Sequence, residues 1–356
     1  MVAVNVPNQP KQPRRRVSAG VTVADVARAA GVSAMTVSRV TNCDAGVATS
    51  TREKVEQAIA ALGYIPNPAA RSLAGARQTR IALIHANPSS AYLSEVLMGC
   101  LAQATASDAM IVVEQHDPPE ETRDLVARLR KHRIDAVLLP PPLCDDAGVI
   151  AALDAEGLAL ARIATGAPAT AGHAVTIDDR AAACAMITRL IGLGHRRIGF
   201  IAGHPNQTAS ALRRAGYEAA LVQAGIMLDP ELVAQGDFTY RSGLVAAGHL
   251  LSLPHRPTAL FASNDDMAAA SVSAAHRLGL EVPRDLSVAG FDDTAMATAT
   301  WPELTTVRQP VAAMARSAVR LLVESLRRGA AIQPQHERLD YDLILRGSDG
   351  PVPITR

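Results

Sequence analysis

The chain has 356 residues, 48% hydrophobic and 19% charged, enough apolar material for two or three cores and too much for wholesale disorder. Aromatics are only 3%, so any core is aliphatic. The net charge of +1 hides a gradient: residues 1–80 hold eleven lysines and arginines against four acids, and the remainder holds twenty-four against thirty. A basic head on an acidic body points to a polyanionic partner for the head.

Cys43, Cys100, Cys144 and Cys184 lie far apart with no CxxC and no nearby histidine pair, which fits neither a zinc site nor a disulfide framework. No metal is expected. No apolar run reaches the roughly 18–20 residues of a membrane helix, and residues 1–16 lack a signal-peptide stretch. The expected compartment is a reducing cytoplasm.

Residues 1–20 carry three prolines and the run Arg14–Arg16, and read as a disordered basic arm. Residues 21–66 form a helical head. Thr22 is placed to cap a first helix whose inner stripe is Val23, Val26, Ala27 and Ala30. Gly31 supplies a tight turn, Val32 plugs it, and Ser33 caps a second helix with Val37 and Val40 inside. Two short helices joined by such a turn form a helix-turn-helix, whose second helix enters the DNA major groove. There Ala34 and Met35 face bases, with thymine methyls as apolar partners, and Arg39 is suited to a two-pronged contact with guanine. Thr22, Ser33, Thr36, Ser38 and Asn42 offer hydroxyl and amide groups to phosphates. The same pattern also fits a small helical bundle whose serines and arginine are merely surface. A third helix is expected at about 50–62, opened by the capping box Ser50-x-x-Glu53 in place of Ala48.

Residues 67–79 are a linker. Asn67 and Pro68 open a helix too short to stand alone, carrying Ala70, Arg71 and Leu73. Leu73 beside Arg71 suits a wedge between base steps of the minor groove, or equally an ordinary linker contact.

From Ile81 the texture changes. Apolar runs at 81–86, 110–115, 136–141, 159–164, 174–178, 197–203, 258–263 and 286–293 alternate with helical stretches such as 121–132, 179–193, 212–224, 242–252 and 266–278. Continuous apolar strands separated by helices predict parallel sheets with helices on both faces, and eight runs exceed one comfortable sheet. The expectation is two doubly wound α/β subdomains. Ligands bind beyond the carboxyl ends of such strands. Asp178, Asn264, Asp265, Asp292 and Asp293 stand at strand ends, Arg213 follows a strand, and Phe238 offers a ring. Each is also an ordinary cap or turn residue.

The motifs TVADVARAAGVSAMTVSRV, STREKVEQAIAALGYIPNPAARSL, GHRRIGFIAG, SNDDMA and VAGFDD, in this order, resemble the LacI/GalR family of bacterial transcriptional regulators over about residues 21–346. The resemblance implies a homodimer on a palindromic double-stranded operator, with Ala70, Arg71 and Leu73 in a hinge helix that folds on DNA. It implies a periplasmic-binding-protein-like body holding a small effector, probed by Tyr92, Leu93, Asp178, Arg213, Phe238, Asn264 and Asp292. The implied division is an N-subdomain of 80–177 and 309–337, a C-subdomain of 178–307 and 338–346, and a tail of 347–356. No tetramerising heptad segment is expected in that tail. Ala34 and Met35 depart from the residue types usual in the family, so the operator cannot be copied from a relative.

No cofactor is expected beyond the effector, a sugar or sugar derivative that releases a repressor of carbohydrate genes, in a bacterial cytoplasm and on the nucleoid when bound to operator. The alternatives are a purine- or nucleoside-dependent co-repressor system and a stand-alone sugar-binding protein. Enzyme signatures are absent from the sequence: no GxGxxG opens a βα unit, and there is no GxxxxGK[ST] or GxSxG.

Overall fold

The computed structural model describes residues 21–41, 46–64, 78–86, 89–116, 120–166, 171–328 and 333–352. The chain divides into two compact units, 1–77 and 78–356. Asn42, Ala70, Arg71 and Leu73 lie outside the described residues.

In the first unit, helices α1 (Val23–Ala30), α2 (Ala34–Thr41) and α3 (Thr49–Leu62) pack around Val26, Val37, Val40, Val55 and Tyr64. Asp25 accepts hydrogen bonds from the Thr22 amide (3.0 Å) and hydroxyl (2.7 Å) at the start of α1. These bonds hold its carboxyl below the usual carboxylate range. Gly31 ends the helix at φ 65°, the left-handed geometry that turns the chain into α2. Ser33 Oγ accepts from the Thr36 amide at 3.1 Å and caps α2. The expected start of α3 is corrected. Ala48 holds the cap position, and its carbonyl accepts from the Thr51 and Arg52 amides at 3.0 Å. Ser50 therefore lies within the first turn and is not the cap.

The second unit holds two six-stranded sheets. The first is built from β1 (Thr79–His85), β2 (Ala109–Gln115), β3 (Ala136–Leu139), β4 (Ala159–Ile163), β5 (His173–Thr176) and β11 (His336–Arg338). Its order is β11-β5-β4-β3-β1-β2, all parallel. The second contains β6 (Ile198–Ala202), β7 (Val233–Gln235), β8 (Ala259–Ala262), β9 (Ser287–Asp292), β10 (Thr305–Arg308) and β12 (Asp342–Ile344). Its order is β12-β10-β9-β8-β6-β7, with only β12 antiparallel. All eight apolar runs contain a strand. The four strands they miss, β7, β10, β11 and β12, are three or four residues long and carry polar residues, so no apolar run marks them.

Helices flank both sheets: α4 (Ser90–Ser107), α5 (Thr122–Lys131), α6 (Ala147–Ala155), α7 (Asp179–Gly192), α8 (Thr208–Gln223), α9 (Tyr240–Leu251), α10 (Asp265–Arg277), α11 (Ala295–Ala299) and α12 (Val311–Arg328). The chain passes between the sheets three times, between β5 and β6, after β10, and between β11 and β12, because α12 returns to pack on β4, β5 and α4. Gly99 permits that return: a β-carbon there would lie 2.9 Å from the Ala312 carbonyl carbon and nearer still to its oxygen.

The expected tail is also corrected. Residues 347–352 belong to the second lobe. Ser348 Oγ accepts from the Thr305 amide (2.8 Å), and Asp349 accepts from Arg189 Nε (2.7 Å) and Thr305 Oγ1 (2.5 Å). His195, fully buried, closes the join: Nδ1 lies 2.9 Å from Thr258 Oγ1, and Nε2 lies 3.0 Å from the Gly350 carbonyl. A neutral imidazole suits both contacts, with Nε2–H donating to the carbonyl and Nδ1 accepting from the hydroxyl. Burial holds this imidazole below its ordinary value of 6.5. The unfolded chain therefore takes up the proton first, so the contribution is complete above about pH 6.5 and is lost as pH falls below it. The stability difference between wild type and His195→Gln is expected to shrink from about pH 7.5 to 5.5, by at most about 1.4 kcal/mol per pH unit. Urea unfolding at several pH values checks this, and a pH-independent difference refutes it.

Candidate functional site

The first candidate surface is the face of α2 that turns away from the head's core. Val37 and Val40 are buried, whereas Ala34, Met35 and Arg39 are exposed, Met35 at 72%. Ser33 and Thr22 are exposed as well, and Thr36 and Ser38 are half-buried. A capped helix carrying an exposed methionine, an arginine and hydroxyls suits a groove lined by base edges and phosphates better than it suits water.

The second candidate is a cavity between the two lobes of the body. Tyr92 enters it from the first turn of α4, where Ser89 Oγ caps the helix by accepting from the Tyr92 amide at 3.3 Å. From the other lobe come Arg213 on α8, Phe238 before α9, Asn264 at the start of α10 and Asp292 at the end of β9. Five of the seven expected effector residues therefore meet. Leu93 does not line the cavity and packs partly buried against the core. Asp178 is placed outside it: its carboxylate caps α7 by accepting from the Ala181 amide at 2.9 Å, and it pairs with Arg338 at 3.3 Å. The next residue, Asp179, points inward instead, because one helical step turns the side chain through about 100°.

Arg213 is the centre of the polar network. Its Nε donates to Asp179 at 2.8 Å and its Nη1 to the Ser263 carbonyl at 2.6 Å, while Asp292 Oδ1 lies 3.7 Å away. The guanidinium stacks on Phe291 at 3.6 Å from the ring centre. Burial raises the carboxyl of Asp179 against the pull of Arg213. Burial likewise pushes Asp292 up to about 7, again opposed by Arg213, and Gln309 Nε2 donates to Asp292 Oδ1 at 2.5 Å. Behind them Asp265 is raised by burial and by the charge of Asp292, and it is held by Thr306 Oγ1 and the Thr294 amide.

Asn264 is spent internally. Its Oδ1 accepts from the Met267 amide (3.0 Å) and its Nδ2 donates to the Phe238 carbonyl (2.9 Å). That bond helps hold Phe238 at φ 70°; Ala164 (56°) and Asp292 (109°) around the same cavity are also in the left-handed half of the map. Such conformations cost of order 1–3 kcal/mol each and concentrate at functional sites.

Sequence reasoning missed Ser89, Gln207 and Gln309, which also line the cavity. Gln309 follows β10, and only the recognition of that short strand would have marked it as a strand-end residue. Two buried atoms here have no hydrogen-bond partner among the described residues: Tyr92 Oη and Gln309 Oε1. The lobes are tied across the cleft by Ser89 Oγ donating to Asp266 (2.7 Å), and by Asp145 accepting from both the Thr208 amide and hydroxyl (2.8 Å each). The space left inside is about 20 Å³, the volume of about one water.

A helix-turn-helix unit followed by a two-lobed α/β body with a polar cleft defines a DNA-binding regulator with a site for a small molecule. Residues 22–67 match the family described as bacterial regulatory proteins, lacI family, and residues 187–348 match the periplasmic binding protein-like domain. The chain is similar to the transcriptional repressor CytR of Escherichia coli K12, 34% identical over 334 residues, covering 93% of this chain and 97% of the relative. It is equally similar to the transcriptional regulator CelR of Thermobifida fusca, 34% identical over 340 residues, covering 92% and 98%. Among solved structures, the CelR–cellobiose complex aligns at TM-score 0.71 with 33% identity, covering 92% of this chain and 99% of that one. The lac repressor dimer bound to operator and the anti-inducer ONPF aligns at 0.72 with 29% identity, covering 93% and 99%. The chain belongs to the lacI family of bacterial regulatory proteins: it is a DNA-binding transcriptional regulator and not an enzyme. Among the described residues no helix is long and apolar enough to cross a membrane.

Proposed function

We propose that this protein represses carbohydrate uptake or catabolism genes in a bacterial cytoplasm and leaves a palindromic operator when a sugar-like effector binds. The observation that carries the DNA half is α2, capped by Ser33 and turning Ala34, Met35 and Arg39 to solvent. In this reading Ala34 and Met35 meet thymine methyls, Arg39 forks onto guanine, and Thr22, Ser33, Thr36, Ser38 and Asn42 hold phosphates. Ala70, Arg71 and Leu73 enter the minor groove, where Leu73 wedges a base step.

The effector half rests on Tyr92, Arg213, Phe238 and Asp292, joined by Gln207 and Gln309, around one cavity. The cellobiose bound by the similar CelR structure supports a saccharide. Because the closed cleft admits about one water, a ligand must part the lobes and break the Ser89–Asp266 and Asp145–Thr208 bonds before it is enclosed. A ligand with different affinities for the open and closed forms shifts their populations, and through a dimer it shifts the spacing of the two heads.

Selection of bound genomic fragments by the purified chain, followed by gel shifts with sugars and purines, tests the proposal. A palindromic footprint released by a sugar is the expected result. Tighter binding with a purine would replace the inducer reading with the co-repressor one. Arg39→Ala is expected to lose about 1–3 kcal/mol on operator with little change on random DNA. Equal loss on both would make Arg39 a phosphate contact only.

A further inference from the structure

We infer that the cleft selects an uncharged ligand rich in O–H or N–H groups and rejects the phosphate esters of such ligands. The inference rests on the cleft being the effector site and adds the chemical class that the site accepts.

Charge balance is the first support. Among the described residues, Arg213 is the only cationic side chain lining the cavity. Its guanidinium is already paired with Asp179 at 2.8 Å and lies 3.7 Å from Asp292. Of the body segments outside the described residues, 87–88, 117–119, 167–170 and 329–332 contain no lysine or arginine, and 353–356 holds one, Arg356. Arg308 and Arg316 border a neighbouring hollow of about 270 Å³ that shares only Asp292 and Gln309 with the cavity, and Arg308 is held by Asp293 at 2.7 Å. A phosphate monoester brings a charge of about −1.5 to −2. Enclosing it beside carboxylates, with one guanidinium already paired, leaves most of that charge buried and uncompensated.

The hydrogen-bond pattern is the second support, and it is independent of the first. Among the described residues, Gln309 Oε1 is buried without a donor, and Asp292 accepts through Oδ1 alone. The side-chain amide of Gln207, buried at the mouth of α8, has no hydrogen bond among the described residues. Of these acceptors Gln309 Oε1 is buried and needs a donor, Asp292 and Gln207 offer further acceptors on the same wall, and a phosphate group at neutral pH supplies almost no donors. Tyr92 Oη and the Gln207 NH₂ then serve the ligand's own oxygens. Phe238 and Pro141 supply the apolar wall that an uncharged ring needs.

The test is calorimetry and thermal shift on the full chain with a plate of neutral saccharides and nucleosides, each paired with its phosphate ester. The plate includes glucose, cellobiose, ribose and adenosine against glucose 6-phosphate, cellobiose 6′-phosphate, ribose 5-phosphate and adenosine 5′-monophosphate. Binding of a neutral compound, with its ester at least about 100-fold weaker, is the expected result. Gln309→Met should then weaken that compound by about 10-fold or more while circular dichroism stays unchanged. An ester that binds as well as or better than its parent overturns the inference and leaves the effector site standing. If nothing on the plate binds, the effector-site reading fails and the inference falls with it.

Discussion

Arg213→Ala is expected to destabilise the body by about 3–5 kcal/mol, because it strands a buried carboxylate. Arg213 and Asp179 are both buried and joined at 2.8 Å, and burial already raises the carboxyl of Asp179. Without the guanidinium, Asp179 must stay charged with no counter-ion or take up a proton. The Ser263 carbonyl also loses its donor, and the Phe291 ring loses its stacked cation. Replacing both partners, Arg213→Met with Asp179→Leu, should restore much of the stability, since an apolar pair of similar volume has no charge to desolvate. The double variant should bind operator and ignore the effector. Urea unfolding and operator gel shifts together read both effects. An Arg213→Ala loss under about 1 kcal/mol would show that water reaches the pair.

The second large effect concerns Gly99. Its missing β-carbon lets α4 lie against the backbone of Ala312 at the start of α12. Even Gly99→Ala must push these helices apart, at a cost of about 1–3 kcal/mol, and Gly99→Val should exceed it. The consequence reaches the cleft, because α4 presents Tyr92 and the chain entering α12 presents Gln309. Weaker effector binding is therefore expected along with the lower stability. Gly248→Ala on α9 is the control: nothing lies within 4 Å of a β-carbon there, so the change should stabilise by about 0.5–1 kcal/mol. If both substitutions change stability alike, the close approach at Ala312 is not what requires glycine.

Periodicity and caps made the head legible. The stripe of Val26, Val37 and Val40, the turn at Gly31 and the cap at Ser33 are local features, and each acts within a few residues of itself. The same holds for seven of the eight apolar runs, whose nearly continuous burial leaves no polar alternation to mislead; the run 110–115 forms the edge strand β2, where Met110 and Val113 are exposed. The start of α3 differs from the sequence expectation because only Ser50 satisfies the local capping pattern, whereas the cap position falls on Ala48, which has no capping side chain and serves through its carbonyl alone. The residues after 346 looked like a tail because nothing local announces that Ser348 and Asp349 have buried partners at Thr305 and Arg189.

By itself the sequence determined the class: a basic helix-turn-helix head and a body of two doubly wound lobes, with Arg213 and Asp292 named from their places after strands. These follow from composition and from spacing along the chain. Only the tertiary structure decided that Asp179 and not Asp178 meets Arg213, that Asn264 is spent on Phe238 and α10, and that Gln207 and Gln309 complete the wall. The physical reason is distance in sequence. Asp179, Arg213, Asp292 and Gln309 lie on separate elements, and which polar atoms are paired or left without partners depends on how both sheets and α12 close around the cleft.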